Sequence, residues 1–387
     1  MSYSFVQTPA TMSLGQSPTI FTVSSSTAVN QNNFQYIGYL NIWSGSTSAS
    51  GSGDVWQLAK YPSWTGLTGI FDVSRILNST QTELAQTTIS AIKYFKFESF
   101  YRYQTGSSYV TGSHIFSDTY KSIDGYQIFP EPIGQQIYTL TPHWPLMTDG
   151  PKSQSVFIDN VGSGAVYIGN VGTSIPDRVV YTGNNGGGVY YLGSASGSTQ
   201  TEITSYPQAP AETGFPLSFV GLNTYTIQAY SGSVPLGTKI RFDINCQQKY
   251  PNIRIKWKNR YGEFDYLNFD MVNRKSISSE KRTYQPQLGS WQQKILEYNE
   301  YDSQTLNYIV DSKQNILANT NWLDEGWNDI LKQLLVSNEI YWMQENTQAV
   351  KPLTIVTQNI QFKTGVNDKL IQYAFEFAYG QGYKLII

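Results

Sequence analysis

The sequence is short of charge, and that shortage already excludes several classes of protein. Only 14% of its 387 residues are Asp, Glu, Lys or Arg, where soluble domains usually hold about a quarter. The first fifty residues carry none. A helical bundle, whose exposed positions fill with Glu and Lys, does not have this composition. Cys246 is the single cysteine, which excludes a disulfide framework within the chain. His114 and His143 are the only histidines, and with one cysteine they give no zinc-ligand spacing. No apolar run approaches the roughly 20 residues of a membrane span. The formal net charge of −2 removes any bulk electrostatic case for nucleic acid or an anionic membrane. Met1-Ser2-Tyr3-Ser4 lacks the basic-then-apolar start of a secretory signal. The expectation is a chain made and assembled in a cytoplasm.

What is abundant is aromatic and small. There are 29 Tyr, 18 Phe, 9 Trp and 32 Gly, too many rings for a disordered chain and the right mixture for β-structure with wet polar faces. Phe34 to Trp43 and Val55 to Lys60, joined by a Ser/Gly-rich stretch, predict a β-hairpin. Ile92 to Tyr103 alternates rings with charges and predicts a long strand with one buried face. Thr68 to Leu77 predicts a strand ending in one helical turn. From about Pro145, short apolar runs near residues 156, 166, 179 and 190 recur between Gly, Asn and Ser, as in a sandwich or barrel. Asn184-Asn185-Gly186-Gly187-Gly188 has no following Lys-Ser/Thr and reads as a hairpin turn rather than a phosphate loop.

Charge density changes along the chain. Residues 1–245 hold 10 Lys+Arg and 13 Asp+Glu, leaving 16 and 15 for the last 142. The predicted fold is mainly β. Two β-sandwich-like domains, 1–143 and a Gly-rich 144–236, precede an α+β domain, 237–387. Its one helix is expected over 322–336, with Asn321 as N-cap and Asp324 and Glu325 in the first turn. The apolar face of that helix nominates Trp322, Trp327, Leu331 and Leu334 as a core anchor.

No catalytic constellation is legible, and the chain is expected to be non-enzymatic with no cofactor and no metal. His114 and His143 read as structural, and Cys246 as a small core residue in an alternating strand. Glu263 and Asp265 are two apart and share one strand face, without the fixed separation that glycoside hydrolysis needs. A basic cluster runs from Lys249 to Arg282, with nine cations against four acids. Within it, Arg254, Lys256 and Lys258 alternate as a wet strand face would. With Arg260 and Tyr261 they are the candidate interface. The near-neutral chain favours a protein partner or solvent over nucleic acid there.

Ile253 to Phe269 contains Trp257-Lys258-Asn259-Arg260-Tyr261-Gly262 followed by Asp265-Tyr266 and Phe269. This resembles a pattern in structural proteins of tailed bacteriophages. Lys281-Arg282-Thr283-Tyr284, Asn321-Trp322-Leu323, Leu334 to Tyr341, Lys351 to Val356 and Phe375 to Tyr379 fit it too, and so do Phe34 to Ile37 and Ile70 to Leu77. The resemblance spans about two thirds of the chain and skips much of the Gly-rich middle. It implies a virion component of the tail, tail tip or neck. Such a component contacts copies of itself and other virion proteins, has no membrane partner, and is assembled in the host cytoplasm. The alternative it leaves is a receptor-binding or head-decoration protein recognising a host-surface glycan.

Overall fold

A computed structural model describes residues 3–9, 12–26, 31–44, 53–80, 93–123, 125–126, 153–167, 176–192, 203–246, 249–260, 262–287, 289, 300–343, 350–368, 371–380 and 382–386. Of these, 55% lie in strands and 7% in helices, so the fold is mainly β. The chain divides into two compact units. One comprises Met1–Gln154, Val161–Asp243 and Lys258–Asp265, and the other Ser155–Asn160, Ile244–Trp257 and Tyr266–Ile387.

In the first unit, two sheets share one core. Strands Ser4–Gln7, Ile20–Ser24 and Thr68–Asp72 form the smaller sheet. The larger contains Met12–Leu14, Tyr120–Ile123, Lys93–Thr105, Asn32–Ser44 and Asp54–Lys60, in that order. Alternation sends Phe21, Val23 and Phe71 from one sheet, and Phe34, Tyr36, Leu40, Phe95 and Phe97 from the other, into a single cluster. The rings of Phe21 and Phe97 stack across it at 4.6 Å. This is sheet-on-sheet packing of two half-buried faces. The expected hairpin is present, with Ile42 opposite Asp54 and Tyr36 opposite Lys60. The expected helical turn is Ser74–Thr80, where the Asp72 carboxylate accepts from the Ser74 N–H at 3.0 Å.

The same unit holds a sheet in which Val234–Ile244, Thr224–Ser231, Arg178–Gly183 and Gly186–Tyr191 follow one another. Asn184-Asn185 is its two-residue turn, since Gly183 pairs with Gly186. The Asn side chains explain why that turn is fixed. Asn184 Oδ1 accepts from the N–H groups of Asn223 and Thr224, and Asn185 Nδ2 donates to the carbonyls of Ser218 and Val220.

The expected boundary between 236 and 237 is corrected, because it falls inside strand Val234–Ile244. That strand continues a hairpin from Thr224–Ser231, turning at Gly232 with φ +56°. A change in charge density marks a change of surface, and backbone pairing ignores it. The expected boundary near 143 lies outside the described residues.

Among the described residues the second unit is one antiparallel sheet with helices Trp327–Val336 and Gly365–Asp368, and Tyr383–Ile386 pairs with Leu306–Asn319 beside the main order. The strand order is Phe264–Phe269, Ile253–Lys258, Ile340–Met343, Val350–Ile355, Ala374–Tyr379, Leu306–Asn319, Arg274–Tyr284. The first and last strands of this order are joined by only Asp270–Asn273. Those residues span under about 20 Å, whereas six strand spacings laid flat need about 29 Å. The sheet therefore curls until its two ends approach. Three observations agree. Met271 N–H donates to the Asn319 carbonyl. Phe269 meets both Phe375 and Phe377 edge-on at 5.9 Å. Lys275 reaches the Trp342 ring. One inward face carries the buried Ile255, Trp257, Ile316, Leu353, Phe375 and Phe377.

The helix is shorter than expected, Trp327–Val336, and its N-cap is Gly326 with no side-chain bond. Leu323 forms an isolated bridge with Ile371, which keeps the preceding backbone extended. Asn321 is engaged elsewhere, donating from Nδ2 to Asp270 at 2.9 Å. Trp327, Ile330, Leu331 and Leu334 are all buried on one stripe. Trp322, nominated as an anchor, is 53% exposed because it precedes the helix.

Candidate functional site

The basic strand is not a wet face. Arg254, Lys256, Lys258 and Arg260 are 5%, 3%, 7% and 8% exposed, so the interface expected there is corrected, and Tyr261 lies outside the described residues. The alternation was right in period but wrong in destination. Arg254 and Lys256 are held by neutral polar groups and rings.

In the second unit, the Arg254 guanidinium donates to Asn160 Oδ1 at 3.0 Å and to Asn268 Oδ1 at 3.2 Å, and lies 5.0 Å from the Tyr266 ring centroid. Asn160 Oδ1 also accepts from Phe157 N–H at 3.0 Å and Asn268 Nδ2 at 2.8 Å. One amide oxygen thus collects three donors. Lys256 sits over the Tyr341 ring at 5.5 Å. Cation–π contact and shared amides let a cation stay buried where water would otherwise be needed.

In the first unit, Asn259 closes a turn. Its N–H donates to the Glu263 carbonyl at 2.7 Å, and its Oδ1 accepts from Glu263 N–H at 3.1 Å. Gly262 supplies the positive φ of +80°, a conformation glycine adopts without steric cost. Asp265 follows, 1% exposed. Burial pushes its carboxyl well above the usual carboxylate range. The neighbouring Asn259 amide opposes that shift and the charge of Glu263 adds to it. Tyr126 is pushed up to about 12, chiefly by burial, with Arg260 opposing and Asp265 adding. Tyr206, buried beside Asp265, is raised as well.

The folded chain therefore keeps a proton on Asp265 that the unfolded chain releases. The stability this group contributes is complete below its unfolded value, about pH 4, and is lost as pH rises toward the folded value. Asp265→Asn is expected to be more stable than the parent at neutral pH and to flatten the dependence of Tm on pH. Asp270, raised by its own burial against an opposing bond from Asn321, leaves a residual slope. Parallel Tm profiles for the two proteins from about pH 4 to 7 would show that Asp265 does not titrate in this way.

The remaining candidates are quickly placed. His114 Nδ1 bonds to the Glu98 carboxylate and its ring stacks on Phe100 at 4.4 Å. His143 lies outside the described residues. Cys246 is exposed, two residues past the end of strand Val234–Ile244, which corrects the expected core position. Among the described residues no group of three or more His, Cys, Asp or Glu is placed to hold a metal ion.

The uncovered surface lies elsewhere. Strand Arg274–Tyr284 ends the curled sheet, and all eleven of its residues are exposed. Its partner Leu306–Asn319 is exposed over the same end. Arg274 pairs with Leu317 and Tyr284 with Leu306. Tyr284 and Tyr308 pack edge-on at 6.2 Å, and Ile277 and Leu306 also stand in solvent. On the inward side Lys275 and Lys351 approach one indole, Trp342, at 4.9 and 5.3 Å, with Tyr379 edge-on to it at 6.0 Å. Reading the sequence missed this arm because Arg274–Tyr284 has no buried face and hence no hydrophobic alternation. The available signal was an eleven-residue span free of Gly and Pro that ends in Thr283-Tyr284.

Compared with protein-family models and with curated proteins, the chain matches none.

Proposed function

We propose that this chain is a non-enzymatic structural component of a bacteriophage virion, in the tail, tail tip or neck, acting through repeated contacts with copies of itself and other virion proteins. The observation that carries the proposal is the Arg274–Tyr284 arm, a full-length strand with no residue buried by its own chain. Long exposed edges are aggregation hazards that free-standing domains shorten or cover. A chain that keeps one, with Ile277, Tyr284 and Leu306 on it, has a surface suited to a neighbour. The resemblance of Ile253 to Phe269 to tailed-phage structural proteins points the same way.

Hydrogen exchange on the free chain and on intact particles tests it. Amides 274–284 are expected to exchange quickly in the free chain and to be protected in the particle. Equal exchange in both would remove the basis of the proposal. The second reading, a receptor-binding or head-decoration protein for a host-surface glycan, is favoured by Trp64, whose side chain is 98% exposed, near the exposed Tyr61. A Trp64→Ala particle that assembles normally but no longer adsorbs to host cells would favour that reading.

A further inference from the structure

Arg274–Tyr284 has one strand neighbour among the described residues, Leu306–Asn319, and its other edge faces solvent. It carries four cations, Arg274, Lys275, Lys281 and Arg282, against one carboxylate, Glu280. Among the described residues none of the four is in an ion pair. Strand alternation puts Lys275 and Lys281 on one face and Arg274 and Arg282 on the other. Ile277 lies between the two lysines on their face, 61% exposed. Lys351 adds a further ammonium on that side, sharing the Trp342 ring with Lys275.

From this we infer that the arm receives an acidic, extended polypeptide segment as an added β-strand. The inference rests on the reading of the arm as an assembly surface and names the chemistry of what docks there. A strand laid on the edge places its own side chains on both faces at once, and so meets all four cations while its backbone bonds to the free edge. A polyanion such as nucleic acid lies against one face only. On the arginine face its phosphates would meet Glu280, whose strand partner is Asp311. A second copy of the same strand would bring four more cations to the seam, and like charges in register oppose pairing. Ile277 and Trp342 give apolar contact beside the lysines, so the segment that fits carries acidic residues on both of its faces and an apolar residue opposite Ile277.

The test uses the full chain and a fluorescein-labelled peptide of the strand's length, rich in Glu and Val and free of Pro. Fluorescence anisotropy is expected to show binding that weakens with salt, with protection of amides 274–284 from exchange. The double variant Lys281→Glu/Arg282→Glu should keep the parent's Tm, since both side chains are exposed, and lose at least about tenfold in affinity. No binding would overturn the inference. So would equal binding of the same peptide with Lys in place of Glu, or of a DNA duplex. The two proposals fail separately. An arm protected in particles whose free form ignores the acidic peptide leaves the assembly role standing and removes the acidic strand. An arm unprotected in particles removes the assembly role, whatever the peptide does.

Discussion

Trp327→Ala should destabilise the isolated chain by about 3–5 kcal/mol, the cost of emptying a fully enclosed indole site. Trp327 is 2% exposed and opens the stripe continued by Ile330, Leu331 and Leu334. The helix that carries it is tied down independently. The Tyr373 hydroxyl donates to Asn328 Oδ1 at 2.6 Å, and Asn328 Nδ2 donates to the Lys363 carbonyl at 2.9 Å. With its surroundings fixed, the cavity cannot collapse cheaply, which puts the loss toward the upper end. Trp322→Ala is the internal comparison. Its side chain is more than half in solvent, and surface substitutions of that kind stay within about 0.5 kcal/mol. Chemical denaturation of both variants decides the matter. If Trp327→Ala unfolds at the parent's denaturant midpoint but cannot enter particles, the helix is a docking face instead of a core element.

Asn160→Ala should cost about 2–4 kcal/mol, a large effect for a polar residue. The Asn160 carbonyl oxygen accepts from Phe157 N–H, Arg254 and Asn268 together. Arg254 and Asn268 each have a second acceptor, in Asn268 Oδ1 and the Ser155 carbonyl respectively. Among the described residues the Phe157 N–H has no second acceptor, and a buried donor left without one costs about 1–3 kcal/mol. The guanidinium also loses its shorter bond, and bonds to charged groups contribute about 1.5–3 kcal/mol. Asn160→Asp keeps the acceptor, adds a charge of the sign Arg254 favours, and should restore most of the loss. Tm measurements on the three proteins check this. An Asp variant as unstable as the Ala variant would show that the amide's shape, rather than its acceptor, matters.

The sequence by itself determined the strands that have two unlike faces. Lys93–Thr105 and Asn32–Ser44 announce themselves because alternate residues must enter a core and the others must not. The Asn184-Asn185 hairpin was legible too, since turn chemistry is local. Trp327, Leu331 and Leu334 were found as anchors from helical spacing alone. Tertiary structure decided the rest. Arg254, Lys256 and Lys258 alternate like a solvated face, yet all three are buried; amides and rings from elsewhere in the chain contact Arg254 and Lys256, and no local pattern encodes a partner 94 residues away at Asn160. Trp322 and Asn321 satisfied every helix signal, but a bridge from Leu323 to Ile371 holds that backbone extended. Arg274–Tyr284 carries no periodicity because neither of its faces is buried within the chain. Its strand state follows from pairing with Leu306–Asn319, whose continuation into the core supplies the energy that the exposed strand lacks.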